Sequence, residues 1–364
     1  MLQCAPDFVV ARVCSRRLPE SIDGIEAELV TSSIDQMVES CEVVVEASGD
    51  VNRAAEVVQV AHQAGKPVVT MGTEFHVTVG SAFCRTGYLT EAEGDQPGSL
   101  AALALDAREM GFEPLVYGNI KGYLEHLPEP KEMEKWSRRN GISVEQTVSF
   151  TDGTKLQMEQ ALVANGMGAT VHRRGLEGPQ VDDLKVAADH LAQLAQQAGS
   201  PLSDYVLSQH LPAGVFVVAK HPCAKPEVMR YLKLGQGPFY TLLRPFHLCH
   251  LEIPKTLRRV VAGAAPLLNN STAPEVGVVA IAKQDVAAGG LIERAMGGFQ
   301  LRGEAAKWRD HPSAVPIGLL NGVRLARPIE KGQILHWEDV ELPDTLAVQR
   351  ARELWQQRMT EASA

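Results

Sequence analysis

Short apolar runs alternate with helix-length segments through the N-terminal third of the chain. The clearest runs are FVVARV (Phe8–Val13), EVVVEA (Glu42–Ala47) and PVVTM (Pro67–Met71), and a segment with helical spacing, Asn52–Ala64, lies between the last two. Strands that are separated by helices in this way predict βαβ units and a parallel sheet. Because ligands bind at the carboxyl ends of such strands, the residues at those ends are the first candidates for a site.

The residues that follow these strands are small, polar or basic. The candidate cofactor-binding residues are Ser15, Arg16, Arg17, Ala47, Ser48, Gly49, Gly72 and Thr73. An acidic residue after the first strand would bind the ribose hydroxyls of NAD, whereas two arginines there suit the 2′-phosphate of NADP. We therefore expect NADP as the cofactor, with NAD as the alternative. A solvated basic turn would explain the same arginines without a ligand.

One expected motif does not appear before Phe8. A dinucleotide-binding domain opens with a strand and a G-x-G-x-x-G turn, which cradles the pyrophosphate. No such glycine-rich turn precedes Phe8 in this sequence. We expect a Rossmann-type domain that is short at its N-terminus. A wrongly assigned start, a fragment and a lost phosphate loop would each explain this pattern.

The stretch Ser149–Gly166 (SFTDGTKLQMEQALVANG) concentrates candidate catalytic residues at the start of a helix. Asp152 and Thr154 are N-cap residue types, which puts Lys155 in the first turn and Glu159 one turn later on the same face. A cation in the first turn opposes the helix dipole, so Lys155 indicates a function. A capping box with a solvated Lys–Glu pair is the simpler alternative.

A second lysine stands at the end of another predicted strand. The segment GNIKG follows Pro114–Tyr117 and contains Asn119 and Lys121 between glycines, which allow a ligand to approach the backbone closely. An exposed lysine in a flexible turn is the alternative. The candidate catalytic residues are thus Lys121, Asp152, Lys155 and Glu159.

The segment RPFHLCHLE also carries side chains that can bind a ligand. A metal site is disfavoured, because the spacing of its histidines, cysteine and glutamate matches no standard zinc motif. Hydrogen bonding to a substrate suits the imidazoles better. The candidate substrate-binding residues are Asn119, Thr154, His247, His250 and Glu252.

Composition narrows the class of protein. The chain has 364 residues, a net charge of −9 and a pI of about 5.7, which argues against nucleic acid or an anionic membrane as partner. Its six cysteines lack CxxC spacing and are typical of reduced cytosolic thiols. Neither an apolar run of bilayer length nor a signal peptide is recognisable. We expect a cytoplasmic protein with a small-molecule substrate, and a homodimer.

The C-terminal part contains a degenerate repeat. AIAKQDVAAGGLI at 280–292 is echoed by VRLARPIEKGQIL at 323–335, and both copies predict a compact β-rich module. We interpret the polar, proline-containing segment 123–148 as an inserted excursion from the main fold, such as a lid. The expected organisation is a Rossmann-type domain (1–118), a central α+β catalytic and dimerisation region (119–275), the β-rich module (276–345), and a tail (346–364) that is helical or disordered.

Three stretches together resemble a known family. They are GDQPGSLAALALDAREMGFEPLVYGNIKG, SFTDGTKLQMEQALVANGMG and GPFYTLLRPFHLCHLEIPKTLRR. They are similar to homoserine-dehydrogenase-like oxidoreductases with a C-terminal SAF domain, a group that includes deoxyxylulose-phosphate reductoisomerase-like enzymes. The repeat resembles the SAF domain itself. The resemblance implies NAD(P)-linked chemistry on a small polar substrate, with Asp152 and Lys155 as counterparts of the family's substrate-binding Asp and Lys. The family's lysine after the fifth strand has no counterpart here.

These observations predict an NADP-dependent oxidoreductase. Lys121 and Lys155 would polarise a carbonyl oxygen, and each would lower the pKa of the other. A reductoisomerase acting on a sugar phosphate is one alternative, and it needs an anion pocket such as Arg173, Arg174 or Arg244. A non-catalytic binding subunit without a nucleotide loop is the other.

Overall fold

The computed structural model describes residues 5–15 and 24–363. Its N-terminal part contains two small parallel sheets, one of two strands and one of three. The strands are β1 (Val13–Cys14), β2 (Val30–Thr31), β3 (Val44–Glu46), β4 (Val68–Thr70) and β5 (Leu89–Glu91). The register aligns Val44 with Val68 and Val68 with Leu89. The predicted α/β class with parallel strands is therefore confirmed.

Helices connect these strands. They are α1 (Ile34–Glu39), α2 (Val51–Gln63), α3 (Thr73–Phe75), α4 (Ser81–Phe83) and α5 (Gln96–Glu109), and a π-helical turn (His76–Gly80) joins α3 to α4. The side chain of Asp50 caps α2 by accepting a hydrogen bond from the amide of Arg53 at 3.0 Å. The predicted strand Phe8–Val13 is wrong in extent. Pairing begins only at Val13, opposite Val30, and Val9 is 89% exposed.

The middle of the chain forms a mixed four-stranded sheet. Its strands are β6 (Glu113–Lys121), β7 (Leu202–Leu207), β8 (Gly214–Lys220) and β9 (Tyr240–Arg244), in the order β7-β6-β8-β9. Its helices are α6 (Pro130–Asn140), α7 (Val144–Thr151), α8 (Thr154–Met167), α9 (Leu184–Ala198), α10 (Pro226–Tyr231) and α11 (Ile253–Val261). The excursion predicted at 123–148 thus contains α6 and the start of α7, which Ser143 opens with a capping box.

Side chains of β6 alternate between two packed faces. Val116 and Ile120 join the apolar cluster against α9, whereas Tyr117 belongs to the larger core on the side of α5 and α8. Asn119 and Lys121 have the same parity as Tyr117, so they lie on the α8 side. The alternation of a single strand therefore brings both predicted substrate-facing residues of β6 toward the helix that carries Lys155.

The C-terminal module is built from the two copies of the repeat. Its strands are β10 (Val276–Ala282), β11 (Leu291–Ile292), β12 (Leu301–Lys307), β13 (Val323–Leu325) and β14 (Val340–Glu341). β10 pairs antiparallel with β12, and β13 lies between β11 and β14. Val286 and Ile329, which occupy equivalent places in the two copies, exchange backbone hydrogen bonds at 3.0 and 2.9 Å. The repeat is thus a pair of interlocked halves.

The tail is helical and packs back onto the N-terminal part. Helix α12 (Leu346–Ser363) buries Ala347, Val348 and Ala351, and Arg350 donates a hydrogen bond to Gln59 of α2 at 3.2 Å. The C-terminal segment is therefore part of the folded core. Along the described residues, no helix combines the length and apolar character needed to cross a bilayer.

Candidate functional site

The start of α8 is set by a tight connection from α7. Asp152 ends α7, Gly153 adopts a φ of +85°, and the Asp152 carboxylate accepts a hydrogen bond from the amide of Thr154 at 2.9 Å. Glycine suits this connection because side chains disfavour a positive φ. Helix α8 therefore begins at Thr154, and Lys155 stands in its first turn, as its sequence position predicts.

Lys155 is the centre of a cluster of acidic groups. Its ammonium lies 3.2 Å from the hydroxyl of Thr73, 3.3 Å from a carboxylate oxygen of Glu74 and 3.6 Å from one of Asp95. The Thr73 hydroxyl also donates a hydrogen bond to Asp95 at 2.9 Å. Because the Lys155 side chain is only 13% exposed, these contacts hold the ammonium in a nearly enclosed, strongly acidic setting.

The charge state of Lys155 differs from the expectation. Burial by itself lowers the pKa of the Lys155 ammonium, but Asp95 and Glu74, with support from Glu159 and Glu91, raise this pKa well above its usual value. The expectation that a neighbouring lysine brings the pKa of Lys155 toward neutrality is therefore wrong. For Asp95, burial opposes ionisation, but Lys155 and hydrogen bonds to the carboxylate lower its pKa. Lys155 is a fixed cation.

A fully buried acid lies behind this cluster. Glu91 is fully buried, and burial together with the Asp95 charge raises its pKa well above the usual range. His76 from the π-helical turn lies 3.3 Å from a Glu91 carboxyl oxygen, and burial lowers the pKa of His76 to about 3. Both side chains are fully enclosed, so burial favours the uncharged form of each.

The second lysine reaches the same helix one turn later. The Lys121 ammonium lies 3.5 Å from a carboxylate oxygen of Glu159, and the Asn119 amide donates to that oxygen at 3.3 Å. Burial raises the pKa of Glu159, while Lys121 and Lys155 oppose this shift. Three of the four predicted catalytic residues, Lys121, Lys155 and Glu159, are thus brought together.

Asp152 has a different environment. Its carboxylate forms a buried ion pair with Lys283, which directly follows β10 in the C-terminal module. Thr154, a predicted substrate-binding residue, is fully buried, and its hydroxyl accepts a hydrogen bond from the amide of Gly303 at 2.9 Å. Both side chains therefore contact the C-terminal module, whereas Lys155 points its ammonium at Thr73, Glu74 and Asp95.

The loop after β9 covers the turn that carries Asp95. The carbonyl of Gly94 accepts a hydrogen bond from the amide of Cys249 at 2.8 Å and lies 3.3 Å from Nδ1 of His247. Burial raises the pKa of the Cys249 thiol. The charge of Asp95 adds to this shift, and the charge of Lys155 opposes it. The predicted substrate-binding residue His247 is thus beside the Lys155 cluster, while His250 is exposed in the 3₁₀ turn Cys249–Leu251.

Glu252 shapes this loop through a charged network. It pairs with Arg244, and its second oxygen accepts a hydrogen bond from the amide of Leu248 at 2.9 Å. Arg244 also donates to Glu93 at 2.9 Å, and Lys255 contacts both acids. Glu252 is only 6% exposed, so its role in the structure is to hold the loop, and contact with a substrate stays a prediction.

Three of the predicted cofactor residues line a large groove. A groove of about 1280 Å³ separates β1 from β3, and its lining includes Ser15, Ala47 and Ser48. Gly72 and Thr73 follow β4, where Thr73 joins the Lys155 cluster. Neither Gly72 nor Thr73 is among the described residues that line the groove. Gly49, at a φ of +66°, follows Ser48, whereas Arg16 and Arg17 lie outside the described residues.

The fit to a dinucleotide is partial. The groove between β1 and β3 has room for a nucleotide. The nearby N-terminus of α2 is already capped by the carboxylate of Asp50. Among residues 5–15 and 24–363, we find no glycine-rich helix start that would cradle a pyrophosphate along this groove.

The arginines expected to form an anion pocket are paired with acids. Arg173 contacts Glu177 at 3.0 Å, Arg174 contacts Glu304 at 2.9 Å, and Arg244 is held in the network described above. Each guanidinium therefore already has a carboxylate partner, which disfavours an anion pocket built from these three residues.

Sequence reasoning missed four acids around the site. Glu74, Glu91, Glu93 and Asp95 all lie at or after the ends of β4 and β5. For Glu93 and Asp95 the available signal was the turn EGDQPG, in which two acids and two glycines follow a strand, but this pattern alone is typical of a polar loop. Only the approach of α8 and of the loop after β9 shows that these acids face a lysine.

Two family models match the sequence. Residues 94–253 match the catalytic domain of the oxidoreductase DRL, and residues 277–341 match the SAF domain. The first match spans the turn of Asp95, both lysines and the loop that ends at Glu252. We conclude that the chain is an oxidoreductase with a C-terminal SAF domain. The predicted enzyme class and SAF module are confirmed.

Several solved structures show weak similarity. A putative myo-inositol dehydrogenase from Sinorhizobium meliloti 1021 is 10% identical, with 66% of this chain and 77% of that chain covered at a TM-score of 0.29. A probable dehydrogenase from Thermotoga maritima is 11% identical, with 66% and 77% covered at 0.30. An NAD-binding protein from Listeria innocua is 12% identical, with 66% and 78% covered at 0.27. No curated protein matches the sequence significantly.

Proposed function

We propose that this oxidoreductase uses a nicotinamide cofactor, NADP in preference to NAD, to interconvert a hydroxyl and a carbonyl group on a small polar substrate. As part of this proposal, the enzyme is of the homoserine-dehydrogenase-like subtype that its sequence resembles. The observation that carries the proposal is the pairing of Lys121 with Glu159, one turn of α8 after Lys155, which itself contacts Thr73 after a parallel strand. When bound, the cofactor supplies or accepts the hydride.

In this proposal Lys155 binds the reacting oxygen. Its raised pKa keeps the ammonium charged, so it suits electrostatic stabilisation of a developing oxyanion and not proton abstraction. The carboxylates of Glu74 and Asp95 fix the direction of the ammonium at 3.3 and 3.6 Å. Because Lys155 is 13% exposed, little water competes with the substrate for its protons.

Glu159 holds the transferred proton. Its raised pKa brings its protonated form closer to neutral pH, and Lys121 lies 3.5 Å away on the more exposed side. During reduction of a carbonyl, the carbon receives the hydride and the oxygen receives a proton from Glu159, which is left as a carboxylate beside Lys121. Asn119 donates to the same carboxylate and orients it.

A sugar-phosphate reductoisomerase is the second candidate suggested by the sequence resemblance. It requires an additional phosphate-binding site, and Arg173, Arg174 and Arg244 are already paired with carboxylates. We therefore favour simple carbonyl reduction. The match to an oxidoreductase catalytic domain supports an enzyme over a non-catalytic binding subunit.

The test is a fluorescence titration with NADPH and NADH, followed by NADPH oxidation with small hydroxy and oxo acids and with phosphorylated ketoses. We expect binding of NADPH in preference to NADH and turnover of a non-phosphorylated substrate. An Arg16→Gln/Arg17→Gln variant should lose the preference for NADPH while still binding NADH. Turnover of phosphorylated ketoses alone would favour the reductoisomerase, and absence of nucleotide binding would reject the proposed function.

A further inference from the structure

The SAF module contacts the first two turns of the helix that carries Lys155. The hydroxyl of Thr154 accepts a hydrogen bond from the amide of Gly303 at 2.9 Å, and the side chain of Gln157 accepts one from the amide of Ala305 at 2.8 Å. Both amides belong to β12. Because these side chains are buried and paired with backbone groups, the module fixes the rotation of α8 at this point.

Lys283 adds a charged contact to these hydrogen bonds. Its side chain is 3% exposed, and its ammonium donates to the Asp152 carboxylate and, at 2.7 Å, to the carbonyl of Gly298. The other oxygen of Asp152 accepts the amide of Thr154 at 2.9 Å. One carboxylate thus connects the SAF lysine directly to the first residue of α8.

The Asp152–Lys283 ion pair is buried. Burial raises the pKa of Asp152 and lowers the pKa of Lys283, and the charge of each group opposes the shift of the other. Replacing such a pair with apolar residues is often neutral or stabilising. Its presence at the start of α8 is therefore better explained by a need for position than by a gain in stability.

We propose that Lys283 is a positioning residue for the reaction, which acts through Asp152 to hold the first turn of α8 and thereby the Lys155 ammonium against Glu74 and Asp95. The inference rests on the function proposed for Lys155. It assigns the SAF module a part in catalysis without contact to substrate, and it assigns Asp152 a positioning role in place of proton transfer.

The physical reason is the short distance along the chain. Lys155 follows Thr154 directly, so any displacement of the amide held by Asp152 moves the lysine backbone as well. A misplacement of about 1 Å in a catalytic group lowers turnover by about 100-fold. Loss of Lys283 also leaves Asp152 buried without its cation, which favours a different arrangement of this carboxylate.

The experiment compares Lys283→Met with Arg174→Met. Arg174 is the control because its 2.9 Å ion pair with Glu304 also joins the catalytic part to the SAF module. Its side chain is 44% exposed, and its ion pair lies outside the first turn of α8. For each purified full chain, we would measure kcat and KM for NADPH-dependent turnover, NADPH affinity, Tm, and hydrogen–deuterium exchange over 153–158.

We expect Lys283→Met to lower kcat by about 100-fold with NADPH affinity unchanged, and to accelerate exchange over 153–158. Arg174→Met should keep kcat within about two-fold, as expected for an exposed ion pair. A lower Tm with unchanged kcat and unchanged local exchange would overturn the proposal, since Lys283 would then contribute to stability alone. If Lys283→Met does not fold, Asp152→Asn provides the same comparison with nearly unchanged volume.

Failure of the proposed function is distinguishable from failure of this inference. If the wild-type chain neither binds NADPH nor turns over a substrate, the proposed function fails. The position of Lys155 would then be probed by the rate at which an amine-reactive reagent modifies it, with mass spectrometry as the readout. Faster modification in Lys283→Met than in Arg174→Met supports the inference, and equal rates overturn it.

Discussion

The amide of Cys249 donates a hydrogen bond to the carbonyl of Gly94 at 2.8 Å, although the two residues belong to separate loops. Gly94 has a φ of +112°, and a Cβ added there would lie 2.0 Å from the carbonyl oxygen of Cys249. The turn that presents Asp95 and the loop that carries His247 are therefore in direct backbone contact, and glycine is the residue that permits it.

The first prediction concerns this contact. Gly94→Ala should lower the free energy of unfolding by about 3 kcal/mol or more, because backbone strain and overpacking act together. Urea unfolding followed by circular dichroism measures the effect. Gly199→Ala is the matched control: Gly199 has a φ of +67° with no atom near its Cβ position, so about 1 kcal/mol of strain is expected. Equal losses in both variants would contradict the close approach.

Lys155→Met should lower kcat by about 100- to 1,000-fold, because the variant lacks the cation that stabilises the developing oxyanion. Steady-state kinetics of NADPH oxidation, together with a fluorescence titration of NADPH, would separate turnover from cofactor binding. Lys131→Met is the control, since Lys131 is an exposed residue of α6. A Lys155→Met enzyme with nearly normal kcat would exclude this lysine from the reaction.

Glu252→Gln should destabilise the chain by about 2 kcal/mol. The substitution removes the charge that pairs with Arg244 inside a nearly buried network and weakens the bond from the amide of Leu248. Lys255→Met removes another member of the same network, but this side chain is 49% exposed, so we expect less than about 1 kcal/mol. Chemical denaturation of both variants gives the comparison, and a larger loss in Lys255→Met would count against the assigned role of Glu252.

Asp204 should make stability depend on pH. Burial raises the pKa of its carboxyl to about 6, although backbone amides of Gly178, Glu177 and Tyr205 favour the ionised form. A carboxyl with a raised pKa binds its proton more tightly in the folded state, so this contribution to stability is present at low pH. It is lost as pH rises from about 4 to about 6, by roughly 3 kcal/mol.

The free energies of unfolding of the wild type and of Asp204→Asn would be measured at a series of pH values from pH 4 to pH 7. The difference between the two proteins isolates this contribution. Asp189→Asn is the control, because Asp189 forms an exposed ion pair with Lys185. A difference that stays constant across this pH range in Asp204→Asn would contradict a raised pKa for Asp204.

The local pattern of the sequence predicted a large part of the fold. Apolar runs separated by helical segments predicted the parallel strands β3 and β4, and turn residues before Lys155 predicted the start of α8. The two similar segments at 280–292 and 323–335 predicted a single β-rich module. These features depend on neighbours in the chain, so propensity and spacing suffice to recognise them.

The arrangement of charges required the tertiary structure. The sequence by itself marked Lys121, Lys155 and Glu159 as site residues, because each stands at a strand end or in the first turns of a helix. It did not show that Asp95 approaches Lys155 or that Lys283 pairs with Asp152. These partners are distant in the chain, and the pKa of a buried lysine depends on which charges surround it in space. The sequence determined which chemical groups are available, and the packing of the SAF module and the β9 loop decided which of them act together.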